Sequence, residues 1–424
     1  MSFQQGLSGL DAASNQLNVI GNNVSNASTV GFKSSTIEFG DLYASSFYGT
    51  PSAQPGIGVD TLAVRPDMAQ GNITTTDNNL DLAINNNGYF VVSAGLASSS
   101  TTGAAAGSAM YSRNGQFHVD RNGYLVNASG DNLQGWMASK GVINQGSLAN
   151  LQLNTTNIAP SASTTVGMGV NLDSSQSVPT QSPLDPTNPA TYNWSNSSTV
   201  YDSLGNAHSL TLYYVKNAAT TSGTTWDVTS YVDGTATGNT TKLGFTTTGA
   251  LDTAGTLGGS TALVVSYNAP TANGSTTPMN FSINYANSTQ FSQASGTNTL
   301  TNDGYAAGEL SAINISRSGV IQASYTNGQT STVGQVALAS FTNQQGLQPS
   351  GNNLWSETYG SGPAKLNAPG SGGAGTIQSS ALESSNVDLT TELVNMITAQ
   401  RYYQANAQTI KTQDSIMQTL VNLQ

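Results

Sequence analysis

Apolar side chains fall seven residues apart at both ends of this 424-residue chain. Near the start they are Phe3, Leu10, Leu17 and Val24, and near the end Leu389, Met396, Tyr403, Ile410 and Met417. A repeat of seven keeps side chains on one stripe of an α-helix. Leu7, Ser14 and Gly21 fall between the members of the first stripe, which Ala13 and Ile20 widen; Leu393, Gln400, Ala407, Asp414 and Val421 fall between those of the second. There is no proline from Met1 to Thr50, and neither glycine nor proline after Gly375. Two terminal helices are therefore expected, and neither can bury its stripe alone. Gly21-Asn22-Asn23 is expected to loosen or end the first. Ser385-Asn386 followed by Asp388 has the form of an N-terminal cap on the second, which at ~1.5 Å per residue would be a rod of roughly 54 Å.

The other face of the first helix is unusual. It carries Gln4, Gln5, Asn15, Gln16, Asn18, Asn22 and Asn23, with Asp11 its only charge. A solvated helix normally holds Glu and Lys pairs there. A face of amides points to neighbouring chains or the wall of a pore; the plainer alternative is packing against the helix's own domain.

Between the ends, short alternating apolar runs are set in Gly, Thr, Asn and Ser, which reads as β-structure. Gly88 to Val92 follows the turn Asn85-Asn86-Asn87-Gly88. Asn114-Gly115 and Asn122-Gly123 bracket Gln116 to Asp120 as two expected hairpins. Leu210 to Val215 and Trp226 to Val232 are further strands, and Asn327-Gly328 is a later hairpin. Pro183, Pro186 and Pro189 mark a loop or edge, and Ser361 to Gly375 a Gly/Pro/Ala linker. Charged residues are only 8% of the chain and Ser, Thr, Asn, Gln and Gly take their place, a polar composition shared with disordered chains, but 37% hydrophobic residues with 17 Tyr and 10 Phe suffice for folded cores.

Chemistry is harder to find. A net charge of −11 and 11 scattered basic residues argue against a nucleic-acid surface. With no cysteine there is no disulfide, thiolate nucleophile or Cys-ligated metal. His118 and His208 lack a second ligand at metal spacing. Asp77 and Asp81 suit turn capping better than acid–base work, and Gly56-Ile57-Gly58 lacks the Lys of a phosphate loop. No enzyme and no cofactor are expected. No window approaches 18 consecutive apolar residues, and the N-terminus lacks the basic and apolar regions of a cleaved signal peptide.

Several segments carry a family resemblance. Ser8 to Ala13, Val19 to Asn26 and Gly31-Phe32-Lys33 resemble the N-terminal signature of the bacterial flagellar rod and hook axial proteins. Ser384 to Leu389, Glu392 to Ile397 and Gln400 to Asn406 resemble the C-terminal one. Within that family the chain's length, Tyr111 to Phe117, Tyr201 to His208 and Leu338 to Phe341 resemble the hook members. Residues 215–300 carry little of the pattern, and Ser45 to Pro55 is slightly longer than it.

The resemblance implies a multidomain α+β protein: a terminal α-helical coiled-coil domain formed by both chain ends, with two mainly-β domains in the middle. The helical inner domain would comprise residues 1–30 and 384–424, the linkers 31–70 and 364–383, the middle β domain 71–160 and 303–363, and the inserted outer domain 161–302. It implies a structural subunit of a curved hollow tube that transmits torque while bending, outside the cell, exported without a cleaved signal. The partners implied are further copies of the chain, a distal rod protein, a hook–filament junction protein and a hook cap protein, with no nucleic acid and no membrane insertion. The residues expected to be buried on assembly are Leu7, Leu10, Leu17, Ile20, Val24, Leu389, Leu393, Met396, Tyr403, Ile410, Met417 and Val421. The rival readings are a distal rod or other axial subunit and, from another class, a secreted β-rich adhesin or carbohydrate-binding module.

Overall fold

The computed structural model describes residues 2–42, 56–93, 109–139, 141–154, 156–268 and 274–422. The segment Ser45 to Pro55 lies outside them. The chain divides into two compact units: Met1–Thr155 with Ala312–Ser324 and Thr330–Gln424, and Thr156–Ser311 with Tyr325–Gln329.

Among its described residues the first unit holds two α-helices, α1 (Ser2–Ser25) and α2 (Leu389–Asn422), which pack on each other. α1 runs through Gly21-Asn22-Asn23 rather than ending there. The amides are used within the helical frame, where Asn26 Nδ2 donates to the Asn22 carbonyl at 3.0 Å, and Asn23 reaches across to the following chain. Asp388 caps α2, its Oδ1 accepting from the Thr390 and Thr391 amides at 2.8 and 3.3 Å. Those bonds hold its carboxyl below the usual carboxylate range. Beside α1 lies an antiparallel ribbon of Ser35–Leu42 and Gly58–Pro66. It is tied to the helix by Gln5 Nε2 to the Gly56 carbonyl at 2.5 Å and by the Val59 amide to Ser8 Oγ at 3.3 Å.

The rest of this unit is a many-stranded sheet around Tyr89–Ser93 and Asn132–Ser139, both largely buried. Leu82, Ile84, Phe90, Phe117, Leu125, Leu133, Leu151, Val336, Leu338 and Ile377 form its core. Asn122-Gly123 makes the expected hairpin between His118–Val119 and Leu125–Val126. Asn114-Gly115 does not: Gly115 lies against the Leu82 backbone and accepts that residue's amide at 2.9 Å, so the glycine serves close approach. Chain after Ser361 also joins sheets, Lys365–Asn367 beside Leu338–Ser340, Thr376–Ser379 beside Leu82–Asn85 and Ala381–Glu383 beside Ile73–Thr75.

Among its described residues the second unit has two four-stranded sheets. One is ordered Trp194–Tyr201, Ala207–Lys216, Gly223–Val232, Thr235–Thr246; the other Ala262–Tyr267, Met279–Asn284, Thr165–Asn171, Gly296–Asn302. Alternate residues of Ala207–Lys216 are buried, as period-two patterning demands. Leu210, Leu212, Tyr214, Trp226 and Val228 of the first sheet meet Val166, Met168, Val265, Phe281 and Ile283 of the second in one core.

Candidate assembly site

α1 and α2 pack antiparallel. Gly6 of α1 faces Ile410 and Gly9 faces Asn406, while at the other end Asn23 Nδ2 donates to Glu392 Oε1 at 3.1 Å. A Cβ on Gly6 would stand 3.2 Å from Ile410 Cγ1, and one on Gly9 2.9 Å from Asn406 Nδ2. The two glycines thus set how closely the helices approach. Gly6, Ala12, Ala13, Ile20 and Asn23 are buried on α1; Leu10, Leu17 and Val24 are half-buried and Leu7 is exposed. On α2, Met396 and Ile410 are half-buried, while Leu389, Leu393, Tyr403 and Met417 are exposed; the Val421 side chain is outside the described residues.

The α2 residues turned inward, with Met396 and Ile410, are Glu392, Ala399, Asn406 and Gln413, joined by Ala407. This row is one residue earlier than Leu393, Gln400, Ala407 and Asp414. Of this row Asn406 lies against Gly9, and polar or small residues of this kind carry no apolar signal in the sequence. The consequence lies on the remaining surface, where Leu389, Leu393, Val394, Ile397, Tyr402, Ile416 and Met417 are 48–59% exposed, on more than one side of α2. Apolar surface thus extends on α2 beyond the seam with α1.

Beneath the helices, three stretches far apart in sequence meet at one buried carboxylate, Glu383. Lys33 Nζ donates to its Oε1 at 2.6 Å and to the Ala69 carbonyl at 2.7 Å. Arg113 Nη1 donates to Oε2 at 3.0 Å, Nη2 to the Asn86 carbonyl at 2.8 Å, and the guanidinium lies 5.2 Å over the Tyr89 ring. The Gly71 amide adds a bond at 3.0 Å. All three charged side chains are at most 2% exposed. Burial lowers the Lys33 pKa, and the Glu383 charge opposes that shift. Burial likewise pushes the Tyr89 hydroxyl up to about 12, against the Arg113 charge.

Two amides complete the joint. Asn23 Oδ1 accepts from the Ser35 amide at 2.9 Å and its Nδ2 donates to the Ser35 carbonyl at 2.8 Å. Asn386 accepts from the Ser34 amide at 2.7 Å and donates to the Asp67 carbonyl at 3.0 Å. Gly31, at φ +69°, donates to the Glu383 carbonyl at 2.8 Å and lies against the Arg113–Asn114 backbone, where no side chain fits. Gly31, Lys33, Arg113 and Asn386 all lie in segments that carry the family pattern. The pairing with Glu383 leaves no trace in spacing, since its partners are 350 and 270 residues away. Among the described residues no group of three His, Asp or Glu is placed to hold a metal ion.

Four domain families match the chain. They are flagella basal body rod protein (residues 3–33), flagellar hook protein FlgE/F/G D1 domain (83–168), flagellar basal body protein FlaE D2 domain (171–305) and flagellar basal body rod FlgEFG protein C-terminal (378–423). Flagellar hook protein FlgE of Escherichia coli K12 is 41% identical over 434 residues, covering all of both chains. The chain belongs to the FlgE flagellar hook protein family. FlgE of Borreliella burgdorferi is 33% identical over 452 residues, all of this chain and 99% of its own. The crystal structure of Helicobacter pylori flagellar hook protein FlgE2 shares the fold, with a TM-score of 0.55 over 73% of this chain and all of that one, at 16% identity.

Proposed function

We propose that this chain is the structural subunit of a bacterial flagellar hook, polymerising into a curved hollow tube that works as a flexible joint between rod and filament. The observation that carries this beyond family membership is the apolar surface α2 keeps after pairing with α1. In the polymer both ends form a coiled-coil inner domain, residues 1–30 with 384–424. Linkers (31–70, 364–383) lead to a middle β domain (71–160, 303–363) and an outer one (161–302). The assembly residues are Leu7, Leu10, Leu17, Ile20, Val24, Leu389, Leu393, Met396, Tyr403, Ile410, Met417 and Val421.

Energetics favour many neighbours over one. Each half-exposed apolar side chain has roughly 1 kcal/mol left to gain, from the ~1.5–3 kcal/mol of full burial. Association costs about 4–15 kcal/mol, so a few residues against a single neighbour do not hold. A lattice in which each subunit touches several copies does. The joint at Glu383 would hold the helices to the β structure while outer surfaces slide on weakly charged contacts. Export through the flagellar type III apparatus, with a distal rod protein, a junction protein and a cap protein as partners, belongs to this same reading. The test is expression in a flagellated bacterium lacking its own hook subunit. Curved hooks and restored swimming are expected; straight polymers would assign the chain to the rod, and monomers alone would defeat the reading.

A further inference from the structure

Tyr359 is the most exposed large hydrophobic side chain among the described residues, at 104%, in a loop that is otherwise firmly held. Thr358 Oγ1 donates to the Gly346 carbonyl at 2.6 Å and accepts the Gly360 amide at 3.1 Å. Ser361, itself 1% exposed, accepts the Thr358 amide at 2.9 Å. Asn343 Nδ2 donates to the Gly360 carbonyl at 3.0 Å. Glu357 accepts from the Tyr111 hydroxyl at 3.2 Å and the Ala364 amide at 3.1 Å. Tyr111 packs edge-on against Phe341 at 4.7 Å, so the loop is bolted to a buried aromatic cluster.

This is an expensive way to present a side chain to water. Ordering a backbone costs about 1–2 kcal/mol per residue, and here that cost is met within the fold. A tyrosine with two rotatable bonds on a fixed loop then docks at little further entropic loss, and Tyr is among the residues that dominate interfaces. The occupant follows from charge. A chain of net charge −11 meets a copy of itself at least electrostatic cost where charge is absent or already bound. Thr358, Gly360, Ser361 and Gly362 are neutral, and the Glu357 carboxylate is held by Tyr111 and Ala364.

We propose that Tyr359 is a docking residue that inserts into a second copy of this chain. The inference rests on the hook reading. In a helical polymer the contact is heterologous, Tyr359 of one subunit meeting a different surface on the next, and it repeats at every subunit.

The test uses the full chain. Tyr359→Ala should raise the critical concentration for tube growth about tenfold and Tyr359→Phe less than about twofold, as loss of a buried aromatic anchor would. A benzoylphenylalanine photo-crosslinker at 359, in tubes grown from mixed ¹⁴N and ¹⁵N chains, should join light chains to heavy ones. Unchanged growth by the alanine variant, or crosslinks confined to one chain, would overturn the docking role and leave the hook reading standing. Failure of the wild-type chain to form tubes on isolated hook or rod nuclei would remove both.

Discussion

Glu383 shows how much one side chain can hold when it is buried between two cations. Removing its charge in Glu383→Gln leaves Lys33 and Arg113 buried with no counter-charge, which should cost about 3–5 kcal/mol. Urea denaturation of the first unit is the measurement, and a loss below about 1 kcal/mol would mean that the cations relax into water. Asp202, in the second unit, gives a prediction in pH. Its burial alone would raise its pKa, but the Asn206 amides, the Leu204 amide and His208 outweigh that and hold it at about 2. The folded state therefore takes up this proton at lower pH than the unfolded chain does. The stabilisation is complete above the ordinary value near 3.8 and drains away as pH falls toward about 2. Asp202→Asn should melt lower than wild type at neutral pH, with the gap closing between pH 4 and 2. Tyr89 runs the other way: with its hydroxyl pushed up to about 12, the stability it lends is present below 10 and lost as pH rises toward 12. Glu383 is not legible as the partner of Lys33 and Arg113, 350 and 270 residues away, because sequence spacing does not report contacts made by folding.

At the scale of elements, the terminal helices and most strands could be read from periodicity, and the misjudged details share one cause. Glycine reads in sequence as a breaker, yet Gly21 sits inside α1 where an added Cβ would meet open space, while Gly6 and Gly9 face α2. The same residue type thus plays opposite parts. Gly21→Ala should stabilise α1 by about 0.5–1 kcal/mol, the ordinary helix penalty of glycine. Gly6→Leu should instead push Ile410 aside and lower the yield of tubes, leaving the melting of the β structure unchanged. Circular dichroism and sedimentation separate the two effects; equal behaviour of the two variants would show that helix approach is not set at Gly6. Asn114-Gly115 teaches the same lesson in a sheet, where the glycine makes room for the Leu82 backbone instead of turning a hairpin.

For the whole molecule, the sequence carried the contrast of helical ends and β-rich interior, and the family pattern carried the identity. The inward row on α2 stayed hidden because Glu392, Asn406 and Gln413 are polar and Ala399 small. What remains outward is the basis of the central claim, that the terminal helices pair within a subunit and drive assembly between subunits. Leu393 and Ile397 are 50% and 52% exposed, so charges there should not disturb a single chain. The direct measurement is electron microscopy of the double variant Leu393→Asp, Ile397→Asp beside wild type, each seeded with hook nuclei. An unchanged melting curve is expected, with long curved tubes from wild type and none from the variant. Tubes of equal length from both would contradict it.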